Sequence, residues 1–450
     1  MSTSYDLIVI GTGTAASNIA HTCRARGWTV AVTDYQPFGG TCANRGCDPK
    51  KVLVAAADAM DAAERMAEKG VVNGELNIDW GALQTFKRTF TDTVPSNSEK
   101  SFKANGIDTF HERVHFTGPN ELRVGDLVLQ AKYIVIASGA EPVKLPVEGA
   151  EHLVDSTGFL ELSELPQRVV FVGGGYIGFE FAHVVARAGA MATILNRGVQ
   201  PLKQFDPDLV GLLVERSRAL GIDVLTGHTV LSVEKHKRAY RVHVRTPDGE
   251  QTFDADLVVH SGGRIPAIGD LNLDAGRVIY DGVTIKLNKY LQSTSNPAVY
   301  VAGDAANTGY PLTPIAAQEG RAVAANLLEG NHSTVNYKGI PSAVFTVPAL
   351  AAVGLLESQA REQNLNFRVK YESVPGWYTA RRVNETAYAF KVLVEEGSEK
   401  ILGAHLLGPD SAEVINIYAL AIRTGLKVAD LKDARFVYPT PASDIAYMLP

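Results

Sequence analysis

The sequence predicts an α/β protein with two Rossmann-like nucleotide-binding domains, followed by a C-terminal α+β domain. A strand, a glycine-rich turn, a helix and a second strand occur in this order twice, from Asp6 and again from Arg168. From about Ile340 two strand-like runs precede a helix, which is typical of an α+β unit. The 450 residues are too many for one hydrophobic core, so two to four domains are expected.

The composition indicates a globular protein and excludes several classes of partner. Apolar residues make up 46% and charged residues 20% of the chain, and no apolar run reaches the length of a membrane span. The net charge of -6 gives no indication of nucleic-acid binding, and the N-terminus lacks the features of a signal peptide. The three cysteines are too few for a secreted disulfide scaffold. We therefore predict a cytoplasmic location, with neither a membrane nor a nucleic acid as partner.

The first glycine-rich turn has the pattern of a dinucleotide-binding loop. It reads G-x-G-x-x-A, with Gly11, Gly13 and Ala16 at the fixed positions. The first glycine permits the turn, the second lets the backbone approach a pyrophosphate, and the small third residue lets the helix meet the strand. Asp34 ends the following strand, where a carboxylate accepts from a ribose hydroxyl. A loop without this strand and acid would indicate only a tight turn.

The second glycine-rich turn, G-G-G-Y-I-G, predicts a further nucleotide site. Gly173, Gly175 and Gly178 stand at its fixed positions. The strand after it ends in an Asn-Arg pair, without an acid. Arg197, together with Lys203, could hold a ribose 2′-phosphate, which favours NADPH over NADH. The alternative interpretation is a solvated basic loop.

Cys42 and Cys47 are separated by four residues, close after the first βαβ unit, in the segment G-G-T-C-A-N-R-G-C-D-P-K. This spacing is at the upper edge for zinc ligands and no second Cys/His cluster is nearby, so no resident metal is predicted. On an ideal helix such positions lie roughly 8–9 Å apart at Cα, whereas a disulfide needs less than about 7 Å. A bridge therefore requires a distorted first turn, which Gly46 and Pro49 make plausible.

The chemistry of this pair favours a redox-active disulfide. A distorted bridge is more easily reduced, and a helix N-terminus with Lys50 nearby lowers the pKa of a thiol. The alternative is a pair of buried free cysteines. Cys23, on a face of the first helix, is predicted to be a small core residue.

Taken together, these motifs resemble the class I flavoprotein disulfide reductases, the pyridine nucleotide-disulfide oxidoreductases, which include glutathione reductase, dihydrolipoamide dehydrogenase and mercuric reductase. The resemblance extends nearly from end to end, and its most specific part is the cysteine segment. The other matching segments are Ala137-Ser138-Gly139, Gly263-Arg264-Ile265-Pro266, Val301-Ala302-Gly303-Asp304 and Leu312-Thr313-Pro314-Ile315-Ala316.

The resemblance implies FAD and NADPH as cofactors and a role for each matching residue. Cys42 would be the interchange thiol that faces the substrate, and Cys47 the charge-transfer thiol that faces the flavin. Lys50 and Glu180 would pair near flavin N5, and Tyr176 would gate the nicotinamide pocket. Further residues implied in cofactor binding are Gly40, Thr41, Lys51, Ser138, Gly139, Arg264, Gly303 and Asp304.

The resemblance also implies the domain organisation and the assembly. An FAD-binding domain would comprise residues 1–148 and 270–336, and an NADPH-binding domain residues 149–269. Residues 337–450 would form the interface domain of a homodimer. Each active site would be completed by the C-terminus of the partner subunit.

The C-terminal segment departs from the family pattern H-P-T-x-x-E. Tyr438 replaces the histidine that acts as acid–base catalyst, and Ser443 stands in place of the glutamate. A phenol titrates near pH 10, far from the roughly 6.5 of imidazole, so it suits thiol–disulfide exchange badly. Asp444 is adjacent but points about 100° away on a helix. His21 aligns with the arginine by which glutathione reductase holds a glutathione carboxylate, which makes glutathione disulfide an unfavourable substrate.

Mercuric reductase also carries a tyrosine at this position, although the chain lacks the C-terminal cysteine pair of that enzyme. The leading hypothesis is therefore an NADPH-dependent flavoenzyme that passes electrons through FAD and the cysteine pair to an acceptor. A thiophilic metal or metalloid species, or an unusual low-molecular-weight disulfide, needs little general-acid help. The alternatives are a quinone or one-electron reductase that works at the flavin, and a redox-sensing flavoprotein that turns over slowly.

Overall fold

The computed structural model describes residues 3–74 and 76–450. The α-helices of this part are α1 Thr14–Ala25, α2 Gly40–Arg45, α3 Cys47–Ala67, α4 Trp80–Thr91, α5 Val94–Ala104, α6 Ser156–Leu160, α7 Tyr176–Arg187, α8 Pro207–Ala219, α9 Thr313–Glu329, α10 Glu357–Glu362, α11 Tyr378–Arg382, α12 Ser411–Thr424, α13 Val428–Asp433 and α14 Ile445–Met448.

The β-strands of the same part are β1 Ser4–Ile10, β2 Val30–Thr33, β3 Asp108–Phe110, β4 Val114–Gly118, β5 Glu121–Val124, β6 Leu127–Ile136, β7 Ala140–Pro142, β8 Arg168–Val172, β9 Met191–Asn196, β10 Ile222–Thr226, β11 Thr229–His236, β12 Ala239–Thr246, β13 Gly249–Ala255, β14 Leu257–His260, β15 Arg264–Pro266, β16 Tyr280–Asp281, β17 Thr284–Ile285, β18 Val299–Val301, β19 Ser342–Val344, β20 Ala349–Gly354, β21 Phe367–Ser373, β22 Ala389–Glu395 and β23 Ile401–Gly408.

The chain forms two compact units, each from three segments. The first contains the residues up to Lys50, Thr85–Lys144 and Gly263–Asn336, and the second contains Lys51–Gln84, Leu145–Gly262 and Tyr337–Pro450. This division does not test the three predicted domains, whose boundaries stay predictions.

The first unit is built on a sheet in the order β3-β2-β1-β6-β5-β4, with β18 beside β6. The strands β1, β2, β3, β6 and β18 pair in parallel, and the β1 residues Leu7 to Ile10 are buried. Strands that are buried on both faces have continuous apolar sequences. This explains the apolar run in β1 before Gly11. Helix α1 crosses α9 closely at Gly320. A Cβ atom on Gly320 would lie 2.8 Å from the Ala15 carbonyl oxygen, so this approach requires glycine.

The second unit contains a parallel sheet in the order β10-β9-β8-β14 and an antiparallel one in the order β11-β12-β13. Its C-terminal part is an antiparallel sheet in the order β19-β20-β23-β22-β21, against which α12 packs. The carboxyl ends of β1 and β8 each lead into a glycine-rich turn and a helix, as the sequence predicts. The predicted α/β class with a C-terminal α+β part is confirmed.

Candidate active site

The first glycine-rich turn is shaped by two backbone contacts that leave no space for a side chain. Gly11 has φ +108°, and a Cβ atom there would lie 2.2 Å from the Ala137 carbonyl oxygen. A Cβ atom on Gly40 would lie 2.4 Å from Cα of Gly13. The turn between β1 and α1 therefore packs directly against the first residue of α2, and only glycine is accommodated at these positions.

Asp34 holds this turn in place from the end of β2. Its Oδ2 atom accepts from the Thr12 backbone N–H at 3.0 Å and from the Thr12 hydroxyl at 2.7 Å. Its Oδ1 atom accepts from the Gln36 N–H at 2.9 Å. Burial raises the pKa of this carboxyl group, although these hydrogen bonds act in the opposite direction. Because a carboxylate has about four acceptor sites, capacity remains for the predicted ribose contact.

The segments predicted to hold the flavin lie in the same unit and contain an unsatisfied polar atom. The Ser138 Oγ atom is buried and has no hydrogen-bond partner in the described part of the chain, which suits a residue that contacts a polar cofactor. Arg264 donates to the Ala140 carbonyl. Burial raises the pKa of Asp304, and the charge of Arg264 lowers it. These residues are compatible with FAD.

Glu319 is a residue of this region that sequence reasoning missed. It is buried in α9, its Oε2 atom accepts from the Gly303 N–H at 2.7 Å, and its Oε1 atom accepts from the Thr308 hydroxyl at 2.8 Å. It thereby fixes the 3₁₀ turn that carries Asp304. No local signal marked it, because α9 also contains Gln318 and Arg321 close by.

The distortion predicted for the cysteine segment is present. Helix α2 ends at Arg45 and α3 begins at Cys47, with Gly46 between them at φ −140° and ψ −114°. A Cβ atom on Gly46 would lie 2.9 Å from the Thr41 carbonyl oxygen and 3.2 Å from Cα of Cys42. Glycine at this position therefore allows the start of α3 to approach Cys42.

The two thiols of the pair have opposite protonation tendencies in the reduced form. The pKa of Cys47 is lowered to about 6, first by a hydrogen bond from Cys42 and further by Thr313 and Lys50, against the effect of burial. The pKa of Cys42 is raised, because this thiol keeps its proton to donate to Cys47 and because it is partly buried. The Thr313 Oγ1 atom lies 3.7 Å from the Cys47 Sγ atom.

Cys23 differs from this pair in every respect. It lies in the apolar core of the first unit, where burial raises its pKa to about 12. A thiol in that state is unreactive. The structure is thus consistent with the predicted core role.

The second glycine-rich turn repeats the geometry of the first with an amide in place of the acid. The Asn196 Oδ1 atom accepts from the Gly174 N–H at 3.3 Å, as Asp34 does from Thr12, and its Nδ2 atom donates to the Gly198 carbonyl at 2.6 Å. Sequence reasoning noted only the missing acid and not this role.

The predicted phosphate-binding cations lie just after Asn196. Arg197 and Lys203 are exposed, and no carboxylate of residues 3–74 or 76–450 pairs with either of them. Lys203 lies beside Gly198, whose added Cβ would be 3.7 Å from the lysine Nζ atom. Two exposed, unpaired cations at the end of β9 are compatible with a 2′-phosphate.

Helix α7 carries Tyr176, predicted to gate the nicotinamide pocket, and Glu180, predicted to pair with Lys50 near flavin N5. Tyr176 is 45% exposed, whereas Glu180, one turn later on the same face, is 1% exposed. The Glu180 Oε1 atom accepts from the Phe345 N–H at 2.9 Å. The Lys51 Nζ atom lies 4.0 Å from the centre of the Phe345 ring.

In the described part of the chain, no carboxylate bonds to Tyr438 in the C-terminal segment. Tyr438 is 79% exposed. Ser443, at the position of the family glutamate, bonds instead to the backbone of Thr440. The Asp444 Oδ2 atom accepts from the Tyr388 hydroxyl at 2.9 Å. Substitution of Asp444 for the missing acid is thus unsupported.

His21 has a packing role in the first unit. Its Nδ1 atom lies 2.9 Å from the Ser17 carbonyl oxygen and its Nε2 atom 3.2 Å from the Ser101 hydroxyl. Its ring stacks on Phe102 with the ring centres 5.0 Å apart. This arrangement gives no indication of a site for a glutathione carboxylate.

The described residues contain neither a metal-binding cluster nor a helix that could span a membrane. No group of three or more histidine, cysteine, aspartate or glutamate side chains there could hold a metal ion. Within the same residues, no helix has both the length and the hydropathy that crossing a bilayer requires.

Comparison with known proteins identifies the family of the chain. The pyridine nucleotide-disulphide oxidoreductase family matches residues 5–320, and its dimerisation domain matches residues 340–448. A glutathione reductase from Burkholderia cepacia is 32% identical over 98% of this chain and 97% of its own length. A mercuric reductase from Staphylococcus aureus is 29% identical, over 98% of this chain and 81% of its own length.

A solved structure matches over the whole chain. The Cu(II) complex of the HOCl-induced flavoprotein disulfide reductase RclA from Escherichia coli has a TM-score of 0.88 and 29% identity, covering 100% of this chain and 99% of RclA. The comparisons confirm the predicted oxidoreductase class, and the predicted FAD and NADPH are cofactors of this family. The chain belongs to the pyridine nucleotide-disulphide oxidoreductase family of flavoproteins.

Proposed function

We propose that the enzyme passes electrons from NADPH through FAD to the Cys42–Cys47 pair and from there to a thiophilic metal ion such as Cu(II) or Hg(II). The observation that carries this proposal is the combination of a thiolate-forming cysteine with a C-terminal segment that offers no base. Cys47 has a pKa of about 6, while Asp444 and Ser443 are engaged elsewhere.

The chain's own residues would hold the cofactors at two separate loops. The turn at Gly11–Ala16, with Asp34, Ser138 and Asp304, would bind FAD, which when bound accepts a hydride and supplies two electrons to a disulfide. The turn at Gly173–Gly178 would bind the NADPH pyrophosphate at the start of α7. The remaining predicted contacts are Gly40, Thr41, Lys51, Gly139, Arg264 and Gly303 for FAD, and Tyr176, Arg197 and Lys203 for NADPH.

The redox step at the cysteines balances when the Cys42 proton passes to water. With Cys42 as a thiol and Cys47 as a thiolate, closure of the disulfide releases two electrons and one proton. Two Cu(II) ions take one electron each, whereas one Hg(II) ion takes both. Thiolates are soft ligands that suit soft ions such as Hg(II) and Cu(I), so the pair can bind Hg(II) or stabilise the Cu(I) that it forms.

A disulfide substrate makes a different demand. Its second sulfur leaves as a thiolate that must be protonated, and a positioned acid–base group contributes roughly a hundred- to ten-thousandfold to such a step. Tyr438 occupies the position at which most of the family carries a histidine, and a phenol does not replace imidazole as a general acid–base group. The 32% sequence identity with a glutathione reductase therefore does not make glutathione disulfide the favoured acceptor.

The related proteins support a metal ion as the electron acceptor. Mercuric reductase is named for its metal, and RclA was solved as a Cu(II) complex. The matched dimerisation domain supports a homodimer. Exposed apolar side chains of the C-terminal part, namely Leu420, Val437, Tyr438 and Tyr447, are compatible with a surface that a second subunit covers.

An acceptor panel tests the proposal. Anaerobic NADPH oxidation is followed with Cu(II), Hg(II), glutathione disulfide and a quinone, using wild type, Cys42→Ser and Cys47→Ser. Cys23→Ala is the control, since it removes a thiol outside the pair. We expect fast turnover with a metal, loss of that turnover in both pair variants, and little change in the control. Fast glutathione disulfide reduction, or metal reduction that survives both substitutions, would refute the proposal.

A further inference from the structure

A cluster of buried charged side chains lies in the second unit, and none of the roles described above uses it. Asp61 on α3 and Glu385 supply two carboxylates, while Arg65, Arg187 and Arg216 supply three guanidinium groups. The side chains of Asp61 and Glu385 are 1% exposed and that of Arg187 is 2% exposed. Burial of charges at this depth is costly unless they are paired.

Asp61 is the centre of this cluster. Its Oδ1 atom accepts from Arg187 Nη2 at 2.6 Å and from Arg216 Nη2 at 3.1 Å. Its Oδ2 atom accepts from Arg65 Nε at 2.7 Å. Glu385 is more distant, with its carboxylate oxygens 3.5 Å from Arg216 Nε and 3.7 Å from Arg65 Nε. One carboxylate thus binds three cations.

Val347 provides a second link between the cluster and the dimerisation domain, which already supplies Glu385. Arg187 Nη2 donates to the Val347 carbonyl at 2.9 Å, and the Val347 N–H lies 3.2 Å from His183 Nδ1. The His183 Nε2 atom is 2.9 Å from the Ser217 hydroxyl. Burial, together with the charges of Arg187 and Arg216, lowers the pKa of His183 well below its usual value, so this ring is neutral.

Two of the connected helices carry predicted site residues at their opposite ends. Helix α3 begins at Cys47, and Asp61 follows about 21 Å further along the helix axis. Helix α7 begins at Tyr176, with Glu180 in its second turn, and ends at Arg187 about 16 Å further along. The Asp61–Arg187 contact therefore joins the C-terminal part of α3 to the last residue of α7.

We propose that Asp61 is a positioning residue for electron transfer. Through Arg187 and Arg216 it sets the placement of α3 and α7 against the dimerisation domain, and it acts without contact with a reacting atom. Misplacement by about 1 Å at a reacting centre costs on the order of a hundredfold in rate. This inference rests on the proposed path from NADPH through FAD to the cysteine pair.

Two variants that differ in the net charge of the cluster separate an effect on positioning from an effect on stability. The five cluster side chains carry three positive and two negative charges, a formal sum of +1. Asp61→Asn raises this sum to +2, because the amide keeps one acceptor oxygen but offers the buried cations no negative charge. The double variant Asp61→Asn/Arg187→Gln returns the sum to +1. Removal of one partner of a buried pair is strongly destabilising, whereas replacement of both partners is often neutral.

The experiment compares both variants with wild type and with Asp270→Asn. Asp270 is exposed and pairs with Arg113 at 2.8 Å, so its variant controls for the loss of one carboxylate. Three quantities are measured: the thermal midpoint, the anaerobic rate of flavin reduction by NADPH, and the long-wavelength absorbance of the dithiol-reduced enzyme. The last quantity reports the position of Cys47 beside the flavin without involving NADPH.

We expect Asp61→Asn to lower the thermal midpoint and the double variant to recover most of it. In the double variant, flavin reduction should stay on the order of ten- to a hundredfold slower than in wild type, with reduced long-wavelength absorbance. Wild-type values of both optical quantities in the double variant would overturn the proposal, and this holds even if the single variant does not fold. Failure of the proposed function would show elsewhere, as absent metal reduction by wild type.

Discussion

Removal of the Thr313 hydroxyl should raise the pKa of Cys47 by about one unit. This hydroxyl lies 3.7 Å from the Cys47 Sγ atom and stabilises the thiolate. A hydrogen bond to a charged group contributes about 1.5–3 kcal/mol, and the long contact favours the low end of this range. Since one pKa unit corresponds to about 1.4 kcal/mol, Thr313→Val should move the pKa of Cys47 from about 6 to ~7.

The consequence for activity follows from the sign of the shift. The pKa of Cys47 lies below its ordinary value, so the thiolate is present above about pH 6 and is lost as the pH falls through that value. In Thr313→Val the same loss should occur about one unit higher. Near neutral pH the thiolate fraction would fall from about nine-tenths to about one-half.

The assay is a pH titration of the long-wavelength absorbance of the dithiol-reduced enzyme. Thr313→Ser is the matched control, because it keeps the hydroxyl and removes only a methyl group. Its titration midpoint should stay close to that of wild type. If wild type and Thr313→Val titrate at the same pH, the Thr313 hydroxyl does not stabilise the thiolate and the reasoning is refuted.

Three further predictions concern single positions. Arg197→Ala should lower kcat/KM for NADPH by about ten- to a hundredfold and leave kcat/KM for NADH nearly unchanged; equal losses with both nucleotides would contradict a phosphate contact. Gly46→Ala should make the cysteine pair slower to reduce by NADPH, because the added Cβ would lie 2.9 Å from the Thr41 carbonyl oxygen, and a wild-type rate would show that the helix break tolerates a side chain. Tyr438→Phe should leave Cu(II) reduction within a few-fold of wild type, since no leaving thiolate needs a proton there; an equal, large loss on Cu(II), glutathione disulfide and a quinone would assign Tyr438 a general role.

The features that the sequence predicted well are encoded by neighbouring residues. The turn at Gly11 is visible in the sequence because its φ of +108° favours glycine, and the break at Gly46 is visible because a Cβ atom there would meet the neighbouring Thr41 and Cys42. The cysteine pair belongs to the same class, since its spacing alone implies a distorted helix start. Such features depend on steric contacts between neighbouring residues, so they can be predicted without knowledge of the fold.

The features that the sequence did not predict depend on partners that are distant along the chain. Asp61 meets Arg187 across 126 residues, and no local pattern marks this contact. Glu319 looked like an ordinary helical carboxylate until α9 was placed beside Gly303. Asn196 was noticed only for the acid that it replaces, although it bonds the loop much as Asp34 does. Only the folded topology brings such groups together.

The most direct test of the central claim is a single-turnover experiment. Enzyme reduced anaerobically with one equivalent of NADPH is mixed with Cu(II), while Cu(I) formation and the state of both thiols are followed together. We expect two Cu(I) ions per reduced chain, with Cys42 and Cys47 recovered as a disulfide at the same rate. Cu(I) formation at an unchanged rate in Cys42→Ser or Cys47→Ser would show that electrons leave the enzyme without passing through the pair, which contradicts the proposed electron path.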